Sequence, residues 1–452
     1  MNAVSGQELI EQRGLQVGDE GQLLFDGCSL EKLAQTYGTP CYIYSENSIR
    51  RQCRAYVQSF QKEQVNFEVI YAGKAFLVKA LCRILDEEGL GIDAASGGEI
   101  YTALNSHFPA QKIYFHGNNK SEDEIRYAIT SDIGMIMIDN LYELEKVNQI
   151  AGELNKSVNI MLRVIPGVDT HTHAKIRTGQ VDSKFGIPIG KLLEVFPQVL
   201  QKKHLVYQGL HCHIGSQLLE ASYHLSAVGE MVQLIKKIAD QYQVETHQLN
   251  LGGGLGVKYS QSDNRLDVSV FVNQLVDKVK EMCQKHEIKV PKILIEPGRS
   301  IVAEAGITLY RIGAIKDIPQ MRKYLIVDGG MSDNMRPTLY DAQYEALLVN
   351  KFRQANNEKV TIAGKFCESG DILIKDIFLP KAENGDLLAV FTTGAYHYSM
   401  ASNYNCIPKL PVILVNKGKS DYIVQRQTYQ DMTRNEVLPV WMSHSNAKGN
   451  HN

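Results

Sequence analysis

Between residues 69 and 298 the chain alternates short apolar runs with longer stretches whose apolar positions recur at helical spacing. The runs are V-I-Y-A from Val69, G-I-D-A-A-S from Gly91, K-I-Y-F-H-G from Lys112 and M-I-M-I-D from Met135. They continue with N-I-M-L-R-V-I from Asn159, V-Y-Q-G-L-H-C-H from Val206, H-Q-L-N-L-G-G from His247 and K-I-L-I-E-P-G from Lys292. Short, continuously apolar runs predict strands buried on both faces, as in a parallel sheet. The intervening stretches A-F-L-V-K-A-L-C-R-I-L-D-E-E, L-Y-E-L-E-K-V-N-Q-I-A-G-E-L and V-S-V-F-V-N-Q-L-V-D-K-V-K-E-M predict helices. Eight strand–helix repeats match an α/β chain closed into a (β/α)8 TIM barrel, with an open doubly wound sheet as the rival.

After Ala303 the pattern changes to strands and turns with little helix: L-Y-R-I-G-A-I-K-D-I, Y-L-I-V-D-G-G, K-V-T-I-A-G-K-F, D-I-L-I-K-D-I-F-L, D-L-L-A-V-F-T-T-G-A-Y, P-V-I-L-V and D-Y-I-V-Q-R-Q-T. That is the pattern of an all-β C-terminal domain. The stretch L-Q-V-G-D-E-G-Q-L-L-F-D near the start predicts a hairpin that joins it in space. The expected organisation is an N-terminal segment over 1–41, a barrel over 42–303, a β-domain over 304–436 and a polar tail over 437–452. The final H-S-N-A-K-G-N-H-N is expected to be disordered.

Composition narrows the function classes. A chain of 452 residues is long for one core and suits two domains. With 44% hydrophobic and 22% charged residues and a formal net charge of −2, nothing favours nucleic acid or an anionic membrane surface. No apolar run reaches the ~18 residues of a membrane span. The N-terminus carries acids and no hydrophobic segment of a signal peptide, so the cytoplasm is the expected location. Eight cysteines stand singly, without C-x-x-C spacing, which argues against a metal cluster or a disulfide scaffold. Cys367, among polar residues in G-K-F-C-E-S-G-D, stands apart from the expected core cysteines.

In a barrel, chemistry collects where strands end. Those ends here carry Lys74, Ser96-Gly97-Gly98-Glu99, His116, Asp139-Asn140, Arg163, His211, His213, Ser216, Gly252-Gly253-Gly254, Glu296, Gly298 and Arg299. Each has a bland reading as a turn, a cap or a solvated side chain; together they predict a concave polar site. Lys74 is flanked by Ala72, Gly73, Ala75 and Phe76, which predicts a desolvated, nucleophilic amine able to form a Schiff base. The glycines at the seventh and eighth exits suit a phosphate, or else tight turns. Glu296 could pair with Arg299, or hold a pyridine nitrogen protonated. His213 could stack on such a ring, although a strand histidine also suits the core. These features suggest a phosphate-bearing carbonyl cofactor.

The motifs Y-A-G-K-A, D-A-A-S-G-G-E, F-H-G-N-N-K-S, G-V-D-T-H-T-H, D-S-K-F-G, G-L-H-C-H-I-G-S-Q, L-N-L-G-G-G, E-P-G-R-S-I-V-A-E-A-G, D-G-G-M-S-D-N-M-R-P-T-L-Y, C-E-S-G-D and T-G-A-Y-H-Y-S-M-A-S-N-Y-N occur in order from about Gly38 to Leu414. In these the chain resembles the diaminopimelate decarboxylases, within the alanine-racemase-like group of pyridoxal-phosphate enzymes. The resemblance implies pyridoxal 5'-phosphate bound through Lys74, with His213 on its ring and Glu296 at its pyridine nitrogen. It places Gly253, Gly254, Pro297, Gly298 and Arg299 around the cofactor, with hydroxyls from Ser216 and Tyr396. Arg299, Arg336, Tyr340, Glu368 and Tyr396 would grip the substrate, and Cys367 would donate the proton that replaces CO2. The resemblance further implies a homodimer with shared active sites, Cys367 and Glu368 entering from the partner, and no metal.

Arg336 argues for a substrate with a second carboxylate, since it can clamp one bidentately; ornithine, arginine and lysine lack that group. A racemase would need a second base opposite the lysine, where C-E-S-G-D offers a thiol and acids. A silent regulatory homologue would be expected to lose Lys74 or Cys367, and both are present. The chain departs from the family pattern at His397, Cys406 and Met335, and His397 could alter the charge or pH response of the pocket.

Overall fold

The computed structural model describes residues 6–167 and 183–443. The G-V-D-T-H-T-H motif after Gly167, Asp182 of D-S-K-F-G and the tail from His444 lie outside the described residues. All eight expected barrel strands form: Phe67–Ala72, Gly91–Ala94, Ile113–Phe115, Met135–Ile138, Val158–Ile165, Leu205–His211, Gln248–Asn250 and Lys292–Ile295. They pair in parallel and in sequence order. The last strand returns to the first, with Ile295 beside Val69, so the sheet is a closed barrel.

Closure explains why the strands lack polar alternation. Ile70, Tyr114, Met135, Met137, Met161 and Leu294 form a separate buried cluster of barrel-strand residues. Neighbours such as Val69 and Tyr71 belong instead to the main core, which includes the surrounding helices. Several polar residues at strand exits start the helices that follow. Ser96, Ser121 and Asn140 accept hydrogen bonds from the backbone N–H groups of Glu99, Glu124 and Glu143 and so cap three helices.

One helix differs from its expectation. Apolar spacing predicted it from Ala75, but it spans Lys79–Glu87, after a 3-10 turn at Gly73–Ala75. Phe76 is extended and stacks on Tyr44 at 4.3 Å between ring centroids. Tertiary packing of that ring outweighs the local periodicity and leaves the turn carrying Lys74 outside the helix.

The β-domain centres on Gly306–Ile318, which pairs antiparallel with Arg322–Val327, Leu387–Phe391 and Cys41–Ser45. The ladder register shifts between Ile312 and Ala314, a bulge at Gly313 that lets one long strand serve both parts of the sheet. Strand Cys41–Ser45 also pairs with Val412–Asn416, so the chain crosses this sheet before it enters the barrel. The expected N-terminal hairpin forms its own three-stranded sheet, Leu15–Val17, Leu23–Phe25 and Cys28–Ser29. Its Leu15, Leu23 and Phe25 share a buried cluster with Ile307, Leu309 and Ile413 of the β-domain. Among the described residues no helix is long and apolar enough to cross a membrane.

Candidate active site

The ends of the barrel strands and two segments of the β-domain enclose a cavity of about 330 Å³. Lys74, Asp93, His116, Arg163, His211, His213, Ser216, Glu296, Arg299, Arg336, Tyr340 and Tyr396 line it, and Gly253, Gly254 and Gly298 line its inner recess.

Glu296 is the electrostatic centre. It is buried, and Asn250 Nδ2 donates to its Oε1 at 2.7 Å. The Asn250 amide is itself oriented because its Oδ1 accepts the Gly252 N–H at 2.9 Å. His211 Nε2 lies 3.3 Å from Oε2, within hydrogen-bond range. His116 Nε2 lies 3.0 Å from Oε1 but is not aligned for a hydrogen bond. Burial works against the charge, yet the two imidazoles outweigh it and hold the carboxyl well below the usual carboxylate range. Burial also pushes His211 down to about 4, so at neutral pH it is uncharged. Asp93, 3.8 Å from His116, is shifted the other way, raised by burial against the pull of His116. The donor atoms of His116, His211 and Glu296 lie within 4.8 Å of one another, a set that could hold a cation.

Lys74 has uncharged chain neighbours, and its side chain is exposed to the cleft. The fold also brings Asp93 and Glu99 near enough for Lys74 to lower the pKa of both. Glu99 nevertheless sits at about 7, because burial outweighs the Ala95 N–H it accepts. Asp93 and Glu99 are far from Lys74 in sequence, and no local pattern joins them.

The glycine loop is a matter of close backbone approach. A Cβ on Gly253 would lie 2.0 Å from the Glu296 carbonyl oxygen, and one on Gly254, at φ +115°, 2.4 Å from the Gly215 carbonyl oxygen. The Gly253 N–H donates to His213 Nδ1 at 3.3 Å. Burial, with the nearby positive charge of Lys74, keeps His213 well below its ordinary pKa. His224 Nε2 is 3.0 Å from the Gly253 carbonyl and braces the loop from behind.

Two buried guanidiniums define the rest of the cleft. Arg299 does not pair with Glu296. It donates to Tyr259 Oη at 2.5 Å and Ser216 Oγ at 2.9 Å, and its Nε has no hydrogen-bond partner among the described residues. Arg336 donates through Nε to Tyr344 Oη at 3.0 Å. Tyr396, from the β-domain, lies 4.7 Å from Arg299 Cζ and 5.6 Å from Arg336 Cζ. Its backbone is in the left-handed region at φ +62°, and its N–H donates to the Ala75 carbonyl at 2.8 Å. His397 is fully buried against Tyr344, and burial with Arg336 pushes it down to about 3. It therefore adds no charge to the pocket at neutral pH. Cys367 and Glu368 are exposed and do not line this cleft; the Cys367 N–H donates to Asn405 Oδ1 at 2.9 Å. Sequence reading missed Asp93, Tyr259 and Tyr344 and gave His116, His211 and Asn250 no role. Only Asp93, an acid inside an apolar run, carried a local signal.

These residues fit a phosphorylated pyridine aldehyde. Arg299, with its unpartnered Nε, lines the recess with Ser216 and the glycines and suits a phosphate. Ionised Glu296 suits a protonated ring nitrogen, and Lys74 suits the aldehyde.

The model of the pyridoxal binding domain of pyridoxal-dependent decarboxylases matches residues 46–303. The chain is thus a pyridoxal-dependent decarboxylase on a (β/α)8 barrel with an added β-domain, and its cofactor is pyridoxal 5'-phosphate. It is 44% identical over 416 residues to the diaminopimelate decarboxylase of Bacillus subtilis, covering 92% of this chain and 95% of that one. The diaminopimelate decarboxylase of Bacillus methanolicus is 46% identical over 413 residues, covering 91% and 96%. The crystal structure of diaminopimelate decarboxylase from M. jannaschii in co-complex with L-lysine superposes with a TM-score of 0.88 at 34% identity, covering 96% of this chain and 99% of that one. The chain belongs to the diaminopimelate decarboxylase family.

Proposed function

We propose that the chain removes the carboxylate of one amino-acid centre of meso-diaminopimelate, giving L-lysine and CO2 in the last step of lysine biosynthesis. The observation that carries the substrate is buried Arg336, in the same cleft as Lys74 and Glu296. A second cation beyond the reacting centre answers a second carboxylate, which ornithine, arginine and lysine do not have.

Pyridoxal phosphate supplies an electron sink for the pair left when CO2 departs. Lys74 would hold the cofactor through its amine. Glu296, kept ionised by its neighbours, would hold a proton on the ring nitrogen. His213 would pack on the ring, and Ser216, Gly253, Gly254, Pro297, Gly298, Arg299 and Tyr396 would surround the cofactor. Arg299, Arg336, Tyr340 and Tyr396 orient the substrate. Cys367 delivers the proton to the α-carbon and Glu368 receives the distal ammonium, both from a second copy of the chain in a homodimer. Their exposure outside the cleft of their own chain supports that assignment. In this reading residues 42–303 act as the cofactor-binding domain and 304–436 as the substrate and dimer domain, and the enzyme works in the cytoplasm.

The test is CO2 release from meso-diaminopimelate, ornithine, arginine and lysine, with and without added pyridoxal phosphate. Turnover confined to meso-diaminopimelate and raised by the cofactor is expected. Comparable turnover of ornithine or lysine would overturn the substrate assignment.

A further inference from the structure

Arg13 immediately follows the helix Gly6–Gln12, far in sequence from every active-site residue, yet it is almost fully buried. Its Nη1 donates to the Lys258 carbonyl at 2.7 Å and Thr392 Oγ1 at 3.1 Å. Its Nη2 donates to the Tyr259 carbonyl at 3.0 Å and to Glu345 Oε2 at 2.6 Å, and Nε reaches the same oxygen at 3.2 Å. Glu345 Oε1 accepts the Gln261 N–H at 3.0 Å. One guanidinium thus ties the loop after the glycine turn to the β-domain segment around Glu345.

Those two segments carry Tyr259 and Tyr344, whose rings meet edge to face at 5.4 Å. The Tyr259 hydroxyl accepts from Arg299 and the Tyr344 hydroxyl from Arg336. The Tyr259 ring also lies 5.7 Å from Arg299 Cζ and 5.9 Å from Arg336 Cζ. Two buried guanidiniums repel each other and need fixed acceptors to stay in place. The tyrosine pair supplies these acceptors, and Arg13 grips the backbone of one tyrosine and the residue next to the other.

We propose that Arg13 is a positioning residue that, through Tyr259 and Tyr344, holds Arg336 at a fixed place relative to Arg299 and the cofactor recess, and so sets the length of dicarboxylic substrate the cleft accepts. This rests on the reading that both arginines grip anionic groups. The holoenzyme is compared with its Arg13→Met, Arg13→Lys, Glu345→Gln and Arg336→Ala variants by kcat and KM for meso-diaminopimelate. Competitive inhibition by pimelate and by the shorter glutarate, together with the thermal unfolding midpoint, completes the comparison. A loss of fixed geometry of this kind costs about 10-fold in KM for Arg13→Met, with a smaller change in kcat. The preference for pimelate over glutarate should shrink, and Arg13→Lys should recover part of it. A purely structural role would lower the unfolding midpoint without changing that preference, which would overturn the proposal. If Arg336→Ala raises KM while Arg13→Met leaves KM and the preference intact, this inference fails alone. If Arg336→Ala changes neither, the underlying reading fails with it. Should Arg13→Met not fold, Glu345→Gln decides: a raised KM with a reduced preference supports the proposal, and wild-type values overturn it.

Discussion

Glu296 and His397 show how burial sets charge at single residues. Both are sealed from water, but Glu296 has Asn250 and His211 as partners and stays ionised. Among the described residues His397 hydrogen-bonds only to the Ala395 carbonyl, 2.9 Å from its Nδ1, and burial beside Arg336 keeps it neutral. The departure from the family pattern at His397 therefore changes shape and not charge near pH 7. It does have a consequence for stability. An unfolded imidazole takes up its proton near ~6.5, whereas the folded His397 does so only at about 3. The unfolded state binds the proton first, so stability is lost as pH falls below ~6.5, at about 1.4 kcal/mol per unit, until the folded group titrates. His397→Asn removes this contribution. Relative to wild type, the variant should gain about 2 kcal/mol on going from pH 7 to pH 5, measured by urea unfolding at both values. A difference that does not change with pH would show that His397 is not held neutral by the fold.

At the level of elements, the barrel was legible because a strand buried on both faces must be apolar throughout, and each run bears that mark without reference to its partners. The helix expected from Ala75 was misplaced for the complementary reason. Phe76 fits a helical stripe, yet it stacks on Tyr44 across the domain boundary, a contact no local pattern encodes. Glycines divide in the same way. Gly253 stands in a three-glycine run that suited either a phosphate or a tight turn, and Gly190 stands alone; a Cβ on Gly253 would strike the Glu296 carbonyl at 2.0 Å, whereas one on Gly190 would meet nothing within 4 Å. Backbone cannot yield as a side chain can. Gly253→Ala should therefore cost at least the 1–3 kcal/mol typical of overpacking, about 3 kcal/mol here, or prevent folding. Gly190→Ala, within the helix Ile189–Leu200, should be neutral or stabilise by up to about 1 kcal/mol. Unfolding midpoints of the two variants check the contrast, and equal effects would remove backbone crowding as the reason for the glycine at 253.

At the scale of the whole molecule, one chain builds the cleft proposed for the cofactor and most of the proposed substrate grip, but its proposed proton donor stands outside it. Lys74, Glu296, Arg299 and Arg336 share a cleft, while Cys367 and Glu368 stand exposed outside it. Nothing in the local sequence reveals that separation; the motif C-E-S-G-D reads the same whether it serves its own chain or another. If two copies pair about a two-fold axis, each cleft takes its lysine from one chain and its thiol from the other. Lys74→Ala and Cys367→Ala homodimers are then each inactive at both sites for different reasons. A mixed dimer has one site lacking both groups and one site with both intact. Random exchange of equal amounts makes half of the dimers mixed, so the mixture should recover about a quarter of wild-type activity per chain. The measurement is CO2 release from meso-diaminopimelate before and after the two inactive proteins exchange subunits, with a wild-type sample taken through the same exchange. Were Cys367 to serve the cleft of its own chain, every mixed dimer would hold two incomplete sites and exchange would restore no activity.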